Sequence, residues 1–362
     1  MNHTHEPLVH IAKRSGLIWW KSWLIRVASV VLALIVSALF IYSISKLNPV
    51  KVYGAMWDGA FGTPRRSWVT VRDTMFLLCI GVGLAPAFMM RFWNIGAEGQ
   101  ILVGGCATAA VMIYCANAMP TWLMLVVMFI VSCIAGAIWG VIPAVFKAHW
   151  NTNETLFTLM MNYIAIQLTN FFVSKWENPP GSNSVGVINL NTQSGWFPSI
   201  LGQQYLLNVI IVLALAVLMF LYLKKSKQGY EIAVVGESEN TARYAGISVK
   251  RVIIRTMALS GAICGVAGFV GVAGAAHSIS TEVAGGRGFT AIIVAWLAKF
   301  NTFVMILIAA LIVFLQKGAV QIASQFNLND YVSNVVTGII LFFILGSEFF
   351  INYQVRFRGS NS

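Results

Sequence analysis

The stretch RFWNIGAEGQILVGG, residues 91–105, decides the fold because it combines a helix break, an acid and an apolar run. Asn94 and the glycines Gly96 and Gly99 surround one carboxylate, Glu98, and apolar residues follow at once. A helix that restarts here presents free backbone N–H groups and the positive end of its dipole. We therefore expect a discontinuous helix that begins near Gly96 or Gly99, inside a bundle of helices.

The composition is that of an integral membrane protein. Hydrophobic residues make up 58% of the 362 residues and charged residues only 10%, whereas soluble domains carry about 25% charged residues. The formal charge of +12 comes from 24 Lys and Arg against 12 Asp and Glu. No basic run with interleaved aromatic residues accompanies this charge, so we expect it to contact anionic membrane lipids and not nucleic acid.

Hydropathy predicts an all-α polytopic membrane protein with about ten transmembrane or partly spanning helices. Seven apolar runs are long enough to cross the hydrocarbon, at residues 24–44, 122–145, 155–173, 205–223, 256–276, 303–322 and 332–350. Three more are interrupted or short, at residues 73–90, 99–117 and 288–298. Irregular backbone at membrane depth needs cover from protein or water, so we expect these discontinuous helices to line a central pathway.

The distribution of Lys and Arg predicts that both termini are cytoplasmic, because cytoplasmic segments of membrane proteins are enriched in these residues. The expected organisation is a cytoplasmic tail at 1–23, a membrane domain at 24–350 and a second cytoplasmic tail at 351–362. The first apolar run has about twenty residues, which favours an uncleaved first helix over a signal peptide. Longer hydrophilic connections are expected on the outer side at 46–67 and 174–204, and on the cytoplasmic side at 224–255.

The inner loop reads KKSKQGYEIAVVGESENTARYAGISVKRVIIR at 224–255, and it predicts a short helix. Glu237 or Ser238 can cap this helix, and Gly246 supplies the left-handed residue that ends it. The residues expected on its exposed face are Glu239, Arg243 and Tyr244. Such a surface either docks into a groove on another protein or is a solvated connection between two membrane helices.

Several motifs resemble those of a known family. GESENTARYAGISVKR at 236–251 resembles the cytoplasmic coupling loop of bacterial ABC-importer permeases in the branched-chain amino acid/ribose permease superfamily. The opening stretch, NETLFTLMMNYIA at 153–165 and GRGFTAIIVAWLAKFN at 286–301 resemble the subfamily that imports nucleosides with lipoprotein receptors of the basic-membrane-protein type. The resemblance extends over residues 70–350.

The resemblance implies a permease subunit in the bacterial plasma membrane that takes its energy from a separate ATPase subunit. Its other implied partners are a second permease subunit, a homologue in preference to an identical copy, and an extracellular substrate-binding lipoprotein. The residues that the resemblance implies in ATPase coupling are Glu237, Glu239, Arg243, Tyr244, Gly246 and Ile247. No phosphate-binding G-x-x-x-x-G-K-[ST] motif occurs in the sequence, so ATP has to be bound by another chain.

Polar residues near the predicted breaks are candidates for lining a substrate pathway. They are Asn94, Glu98, Gln100, Asn153, Glu154, Asn162 and Glu282. Glu282 belongs to STEVAGGRGFTAIIVAW at 280–296, which repeats the order of acid, glycines and short apolar helix found in the opening stretch. Glu98 is either a carboxylate in the pathway or a first-turn partner of its helix dipole. The helix face with Glu154 and Thr158 either lines the pathway or forms hydrogen bonds that hold two helices together.

The same sequence leaves two other transport functions open and argues against an enzyme. A permease for a sugar or a branched-chain amino acid would share the coupling loop. An ion-coupled secondary transporter needs a carboxylate or His deep in a span. The carboxylates expected near span ends instead are Asp73, Glu98, Glu154, Glu282 and Glu348. No Ser/His/Asp set, paired catalytic acids or H-E-x-x-H occurs, and the five cysteines lie in apolar runs, so we expect no enzyme activity, cofactor or metal site.

Overall fold

The computed structural model describes residues 9–14, 18–116, 118–328 and 330–357, and helices account for most of them. In chain order the elements are β1 (Val9–Lys13), α1 (Trp19–Ser45), α2 (Pro49–Phe61), α3 (Pro64–Met89), α4 (Ala97–Tyr114), α5 (Thr121–Trp150), α6 (Glu154–Lys175), α7 (Leu206–Lys225), α8 (Lys227–Glu237), α9 (Glu239–Tyr244), α10 (Val249–Gly271), α11 (Arg287–Leu297), α12 (Thr302–Phe326), α13 (Asp330–Asn352) and β2 (Tyr353–Phe357). A π-helical turn, Val272–Ala276, continues α10, and a 3-10 turn, Thr281–Val283, precedes α11.

Within the described ranges, eight helices are long and apolar enough to cross a membrane. They are α1, α3, α4, α5, α6, α7, α10 and α12. Helix α13 adds a shorter apolar segment, Val335–Ile351. The expected polytopic helical class is therefore confirmed. Helix α11 is the short helix expected at 288–298; its 11 residues reach only about 16 Å, which is too short to cross the hydrocarbon alone.

Two segments are more regular than the sequence suggested. The expected outer loop at 46–67 contains helix α2, whose first turn begins with Pro49 and is capped by the side chain of Asn48. The segment 73–90, which we expected to be interrupted, lies in the continuous helix α3. Pro86 is accommodated inside α3, so the first break in the bundle comes after this helix and not within it.

The terminal segments form a small β ribbon, which the all-α prediction missed. Strand β1 pairs with β2 in antiparallel register, with His10 opposite Arg356. The two expected tails, 1–23 and 351–362, therefore contain paired strands, and α1 begins inside the first of them. The pairing of the strands therefore brings residues 9–13 and 353–357 together.

One compact unit consists of residues 1–67 and 312–362. Its helices α1 and α13 are joined by an ion pair in which Arg26 Nη2 lies 2.7 Å from Glu348 Oε1. The core of this unit is formed by Ala33, Ile41, Val52, Ala55, Met56, Leu315, Ile322, Val336 and Ile340. A helix of 13 residues such as α2 is marginal by itself, so burial of its apolar side in this core is what stabilises it.

The second compact unit, residues 68–311, is organised around α10. Gly261, Gly265 and Gly268 bring α10 so close to the backbones of α5 and α4 that a Cβ atom at any of them would collide with a carbonyl oxygen. Small residues at such contacts let helices pack closely where lipid provides no hydrophobic driving force. Helix α10 is therefore the buried helix against which α4 and α5 are positioned.

We expect the connection between α6 and α7 to lie outside the cell and α9 to lie in the cytoplasm. A cysteine at Leu201, which is 89% exposed, should react with a membrane-impermeant maleimide added to intact cells. A cysteine at Tyr244, which is 94% exposed, should react only after the membrane is permeabilised. The unsubstituted chain measures the background from the native cysteines, and the opposite labelling pattern would invert the topology.

Candidate functional site

The break after α3 is built by residues 90–96, where the opening stretch predicts it. Arg91 adopts a left-handed conformation with a φ of 59°, and Asn94 is fully buried. Asn94 Oδ1 accepts a hydrogen bond of 3.0 Å from Gly96 N, and Asn94 Nδ2 donates to Ser260 Oγ at 3.2 Å. The loop before α4 is thus held by a side chain that satisfies a backbone amide within the bundle.

The polar face of α6 supports the same break. Asn162 Oδ1 accepts a hydrogen bond of 2.8 Å from Gly99 N, and Asn162 Nδ2 donates to Ile95 O at 2.9 Å. Thr158 Oγ1 accepts a hydrogen bond of 3.2 Å from Ile95 N. Both side chains are buried. They hold the first turn of α4 against α6 by the kind of interhelical hydrogen bond that joins membrane helices.

Glu98 connects the starts of two helices. It lies in the first turn of α4, and its carboxylate oxygens accept hydrogen bonds of 2.6 Å from Gly286 N and 2.8 Å from Gly288 N at the start of α11. A Cβ atom at Gly288 would lie 2.6 Å from Glu98 N, so only glycine allows this approach. A carboxylate bound to the free amides of a helix N-terminus is stabilised by the hydrogen bonds and the helix dipole together.

These contacts form one polar knot, defined by the side chains of Asn94, Glu98, Gln100, Thr158, Asn162 and Ser260. The polar knot lies inside the bundle. Gln100 Nε2 faces Gly140, which is ten residues before the end of α5, or about 15 Å along that helix. Asn162 is eight residues past the start of α6, or about 12 Å.

One carboxylate lies farther from a span end than the sequence predicted. Asp73 is nine residues past the start of α3, or about 14 Å along that helix, so the prediction that all five carboxylates fall near span ends is wrong for Asp73. Glu98 lies in the first turn of α4, as predicted, but this turn is buried within the polar knot. Each is compensated inside the protein: Asp73 Oδ1 lies 2.8 Å from Arg72 Nη2, and Glu98 binds backbone amides.

The other end of α11 is held by an aromatic cluster. The rings of Trp93 and Trp296 stack with centroids 5.3 Å apart and an interplanar angle of 24°. Phe88 lies edge-on to both tryptophans, at 6.0 Å from Trp93 and 5.8 Å from Trp296. Phe300 stacks on Phe88 at 6.4 Å. Helix α11 is thus attached at both ends to the opening stretch, by Glu98 at its start and by Trp93 at its end.

Three of the candidate pathway residues lie outside the polar knot. Asn153 caps α6, because its Oδ1 accepts a hydrogen bond of 3.2 Å from Leu156 N. Glu154 Oε2 lies 2.9 Å from Lys147 Nζ. Glu282 is exposed and borders a separate cavity. Asn94, Glu98, Gln100 and Asn162 are the four that the structure brings together.

Sequence reasoning missed several partners in these contacts. Ser260 lies in an apolar run, and Lys147 is seven residues before its partner Glu154 with no motif that joins them. The donors at Gly286 and Gly288 are backbone amides. Every residue except proline has such an amide, so the sequence does not show which ones bind Glu98. The repeated order of acid and glycines was the one signal that could have paired Glu98 with this segment.

The segment 224–255 forms helices α8 and α9 with well-defined ends. Ser238, and not Glu237, caps α9, because its Oγ accepts a hydrogen bond of 3.3 Å from an amide of that helix. Gly246 ends α9 in a left-handed conformation with a φ of 76°. The Ile247 amide then donates back to Ala242 O at 2.9 Å, which completes the glycine-closed helix that the sequence predicts.

Helix α9 exposes one face and buries the other. Tyr244 is 94% exposed, and the side chains of Arg243 and Glu239 are 64% and 50% exposed and joined by an ion pair of 3.3 Å. Ala242 is fully buried and Ile247 is partly buried, and both pack into an apolar cluster with the ends of α3, α8 and α10. The inward side chains fix the helix on its own chain, and the outward ones form a surface that nothing in the described chain covers.

The connection between α6 and α7 packs over the end of α10. Phe197 N donates a hydrogen bond of 3.1 Å to Ala273 O. The ring of Trp196 stacks on His277, with centroids 3.9 Å apart and an interplanar angle of 10°. Burial lowers the pKa of His277 below its ordinary 6.5, and the Arg72 guanidinium lowers it further. The imidazole is therefore neutral at neutral pH, which suits its stacked position.

The fold and the polar knot define a class: a multi-pass helical membrane protein in which two helices begin at buried polar breaks. Residues 70–345 match the family described as branched-chain amino acid transport system / permease component. This match covers well over half of the chain, and the chain belongs to that family of membrane permeases.

Individual relatives align over nearly the whole chain. The guanosine ABC transporter permease protein NupP of Bacillus subtilis is 32% identical over 338 residues, covering 92% of this chain and 94% of the relative. The nucleoside ABC transporter permease protein NupB of Lactococcus lactis is 28% identical, covering 82% and 84%. The glucose ABC transporter permease protein TsgB13 of Haloferax volcanii is 27% identical, covering 93% and 90%.

Replacing Glu98 by Gln should destabilise the protein, because Gln offers one acceptor oxygen to the two amides of Gly286 and Gly288. Each hydrogen bond to a charged group contributes about 1.5–3 kcal/mol, and the loss should fall in that range. Thermal unfolding of the detergent-purified chain measures it. Glu177→Gln is the matched control, since Glu177 also accepts from two backbone amides but in an exposed loop. Equal melting temperatures for the two variants would contradict the bridging role of Glu98.

Proposed function

We propose that this chain is the transmembrane permease subunit of an ATP-driven ABC importer for nucleosides. The observation that carries the proposal is the near full-length similarity to permeases named for guanosine and for nucleosides. The three motifs that resemble those of nucleoside importers, at residues 91–105, 153–165 and 286–301, are the ones that build the polar knot and α11. In this role the chain moves a solute and catalyses no reaction, and the chemical step belongs to the ATPase.

A sugar permease is the second candidate, because one relative of similar coverage is named for glucose. Nucleosides are favoured over glucose by the higher identity to the guanosine permease. An ion-coupled secondary transporter is less well supported. Its coupling carboxylate would have to exchange a proton or a sodium ion, whereas Asp73 and Glu98 are held by an arginine and by backbone amides.

The proposal assigns different roles to the polar residues near the breaks. Asn94, Glu98, Gln100 and Asn162 would position the starts of α4 and α11 beside the pathway, since their polar atoms bond to one another and to backbone groups. Asn153 and Glu154 would lie at the cytoplasmic entrance of α6. Glu282 would face the solute on the outer side, with a second permease subunit completing the pathway.

The partners of this proposal are an ABC ATPase, a second and homologous permease, and an extracellular substrate-binding lipoprotein. Helix α9 is the surface proposed for the ATPase. Its outward residues, Glu239, Arg243 and Tyr244, are exposed, and it is fixed to the rest of the chain through Ala242. Glu237 is exposed beside this helix. Gly246 and Ile247 end the helix, because their amides donate hydrogen bonds back to its carbonyl groups.

Uptake of radiolabelled guanosine by bacteria that carry or lack this chain tests the function. We expect uptake to depend on the chain, to be competed by other nucleosides, and not to be competed by glucose or leucine. It should persist when an uncoupler collapses proton and sodium gradients while ATP is maintained. Competition by glucose as strong as that by nucleosides would shift the proposal to a sugar permease.

The docking role of α9 is tested by two substitutions on its exposed face. Tyr244→Ala and Arg243→Glu should each reduce co-purification of the ATPase and ATP-driven uptake about tenfold or more, because losing a central interface contact costs about 2 kcal/mol. Lys227→Glu is the control, since it reverses an exposed charge at the start of α8. Wild-type ATPase association in both α9 variants, with normal expression, would remove this helix from the interface.

A further inference from the structure

A cavity of about 250 Å³ lies apart from the polar knot, within the unit of residues 68–311. It is enclosed by the first half of α3, the first turn of α7, the last turns of α10 and the segment that leads into α11. Its polar lining consists of Arg72, Asp73, Asn208, Ser280, Glu282 and Arg287, and Phe76 forms part of an apolar wall. Arg287 lies between Gly286 and Gly288, so the cavity adjoins the helix start that Glu98 holds.

Asn208 is the residue that marks the cavity as a binding site. It is fully buried, and its Nδ2 donates a hydrogen bond of 3.3 Å to Gly274 O. Its side-chain oxygen has no hydrogen-bond partner in the described parts of the chain. Since buried polar atoms are paired in nearly all native structures, the unpaired oxygen of this cavity-lining residue makes Asn208 a candidate acceptor for a hydroxyl or amino group of a ligand.

The charges around the cavity cancel, which selects against an ionic ligand. The Arg72 guanidinium lies 2.8 Å from Asp73 and stacks over the Tyr205 ring at 5.0 Å. The Arg287 guanidinium stacks over the Phe76 ring at 5.1 Å. Two arginines thus face two carboxylates, Asp73 and Glu282. A charged ligand would leave one side-chain charge uncompensated in a partly buried site, whereas a neutral ligand with several donors and acceptors would not.

The volume of the cavity and its planar side chains limit the class of ligand further. The volume lies just below the roughly 300–1,000 Å³ of pockets that hold drug-sized molecules, so a small solute fits and a nucleotide chain does not. The Arg287 guanidinium and the Phe76 ring stack on each other, and the outer face of such a stack is a flat surface for a planar base. The two carboxylates accept hydrogen bonds, as sugar hydroxyl groups require.

We propose that this cavity binds an uncharged nucleoside during its passage, with Asn208, Asp73 and Glu282 accepting hydrogen bonds and Arg287 beside the base. This inference rests on the proposed function and names where in the chain the substrate is contacted. The site uses residues from α3, α7, α10 and the segment before α11, so none of these elements contains it alone.

Protection from cysteine labelling tests the site in the importer purified with its partner subunits in lipid nanodiscs. Ala276 borders the cavity and is exposed, and Leu201 is an exposed residue away from it. Guanosine should slow maleimide labelling of an Ala276→Cys variant severalfold and leave a Leu201→Cys variant unaffected. Glucose should protect neither, and the unsubstituted chain gives the background.

A substitution supplies the second measurement. Asn208→Leu should raise the apparent KM for guanosine about tenfold, because it removes the unpaired acceptor without adding charge. Thr169→Val is the control, since Thr169 is also a fully buried polar residue in a span but bonds to Ala165 O outside the cavity. The amount of each variant in the membrane separates binding from folding.

The outcomes distinguish this inference from the proposed function. If guanosine is transported but does not protect Ala276→Cys, the cavity is not the binding site and the importer assignment stands. If glucose protects and guanosine does not, the nucleoside class is wrong for this site. If cells with the full set of subunits transport no nucleoside, the proposed function fails and this inference fails with it.

Discussion

The arrangement of the second unit depends on one carboxylate that serves two helices. Glu98 is in the first turn of α4 and binds the amides at the start of α11. Free amides inside a membrane protein have no water to bind, and each would cost several kcal/mol if left unpaired. Because Glu98 accepts hydrogen bonds from two amides at the start of α11, a helix too short to cross the bilayer can begin inside the protein. The position of Arg287 at the cavity follows from the same contact.

Helix α11 also connects regions that differ in chemistry. Its start contacts a carboxylate and lies beside a polar cavity, and its end stacks through Trp296 on Trp93. Trp93 follows the end of α3, against which α8 packs so closely that Gly236 contacts Met89 O. Packed aromatic rings and close backbone contacts deform little. Packed contacts therefore run from the start of α11 through Trp296, Trp93 and the end of α3 to helix α8.

Local signals in the sequence were sufficient for the break before α4 and for the short helices α9 and α11. Asn94, the glycines around Glu98 and the Ser238–Gly246 pair act within a few residues, so their effect can be read from the sequence. The partner of Glu98 could not be read in this way, since Gly286 is 188 residues away. The β ribbon was missed for the same reason, because each strand has only 5 residues and depends on the other. Helix α2 was missed because Lys51 and Asp58 lower its hydropathy.

The pairing of the two terminal strands has a consequence for the order in which the chain is assembled. Strand β1 is synthesised before the unit of residues 68–311 and its partner β2 after it, and the unit that contains both strands is made of residues 1–67 and 312–362. Domains tend to fold as units while the chain is still being made. All residues of the unit 68–311 are synthesised before residues 312–362. Helices α1 and α2 therefore lack their packing partners until α12 and α13 have been made. A truncation near the C-terminus would leave them without their core, while the polar knot could still form.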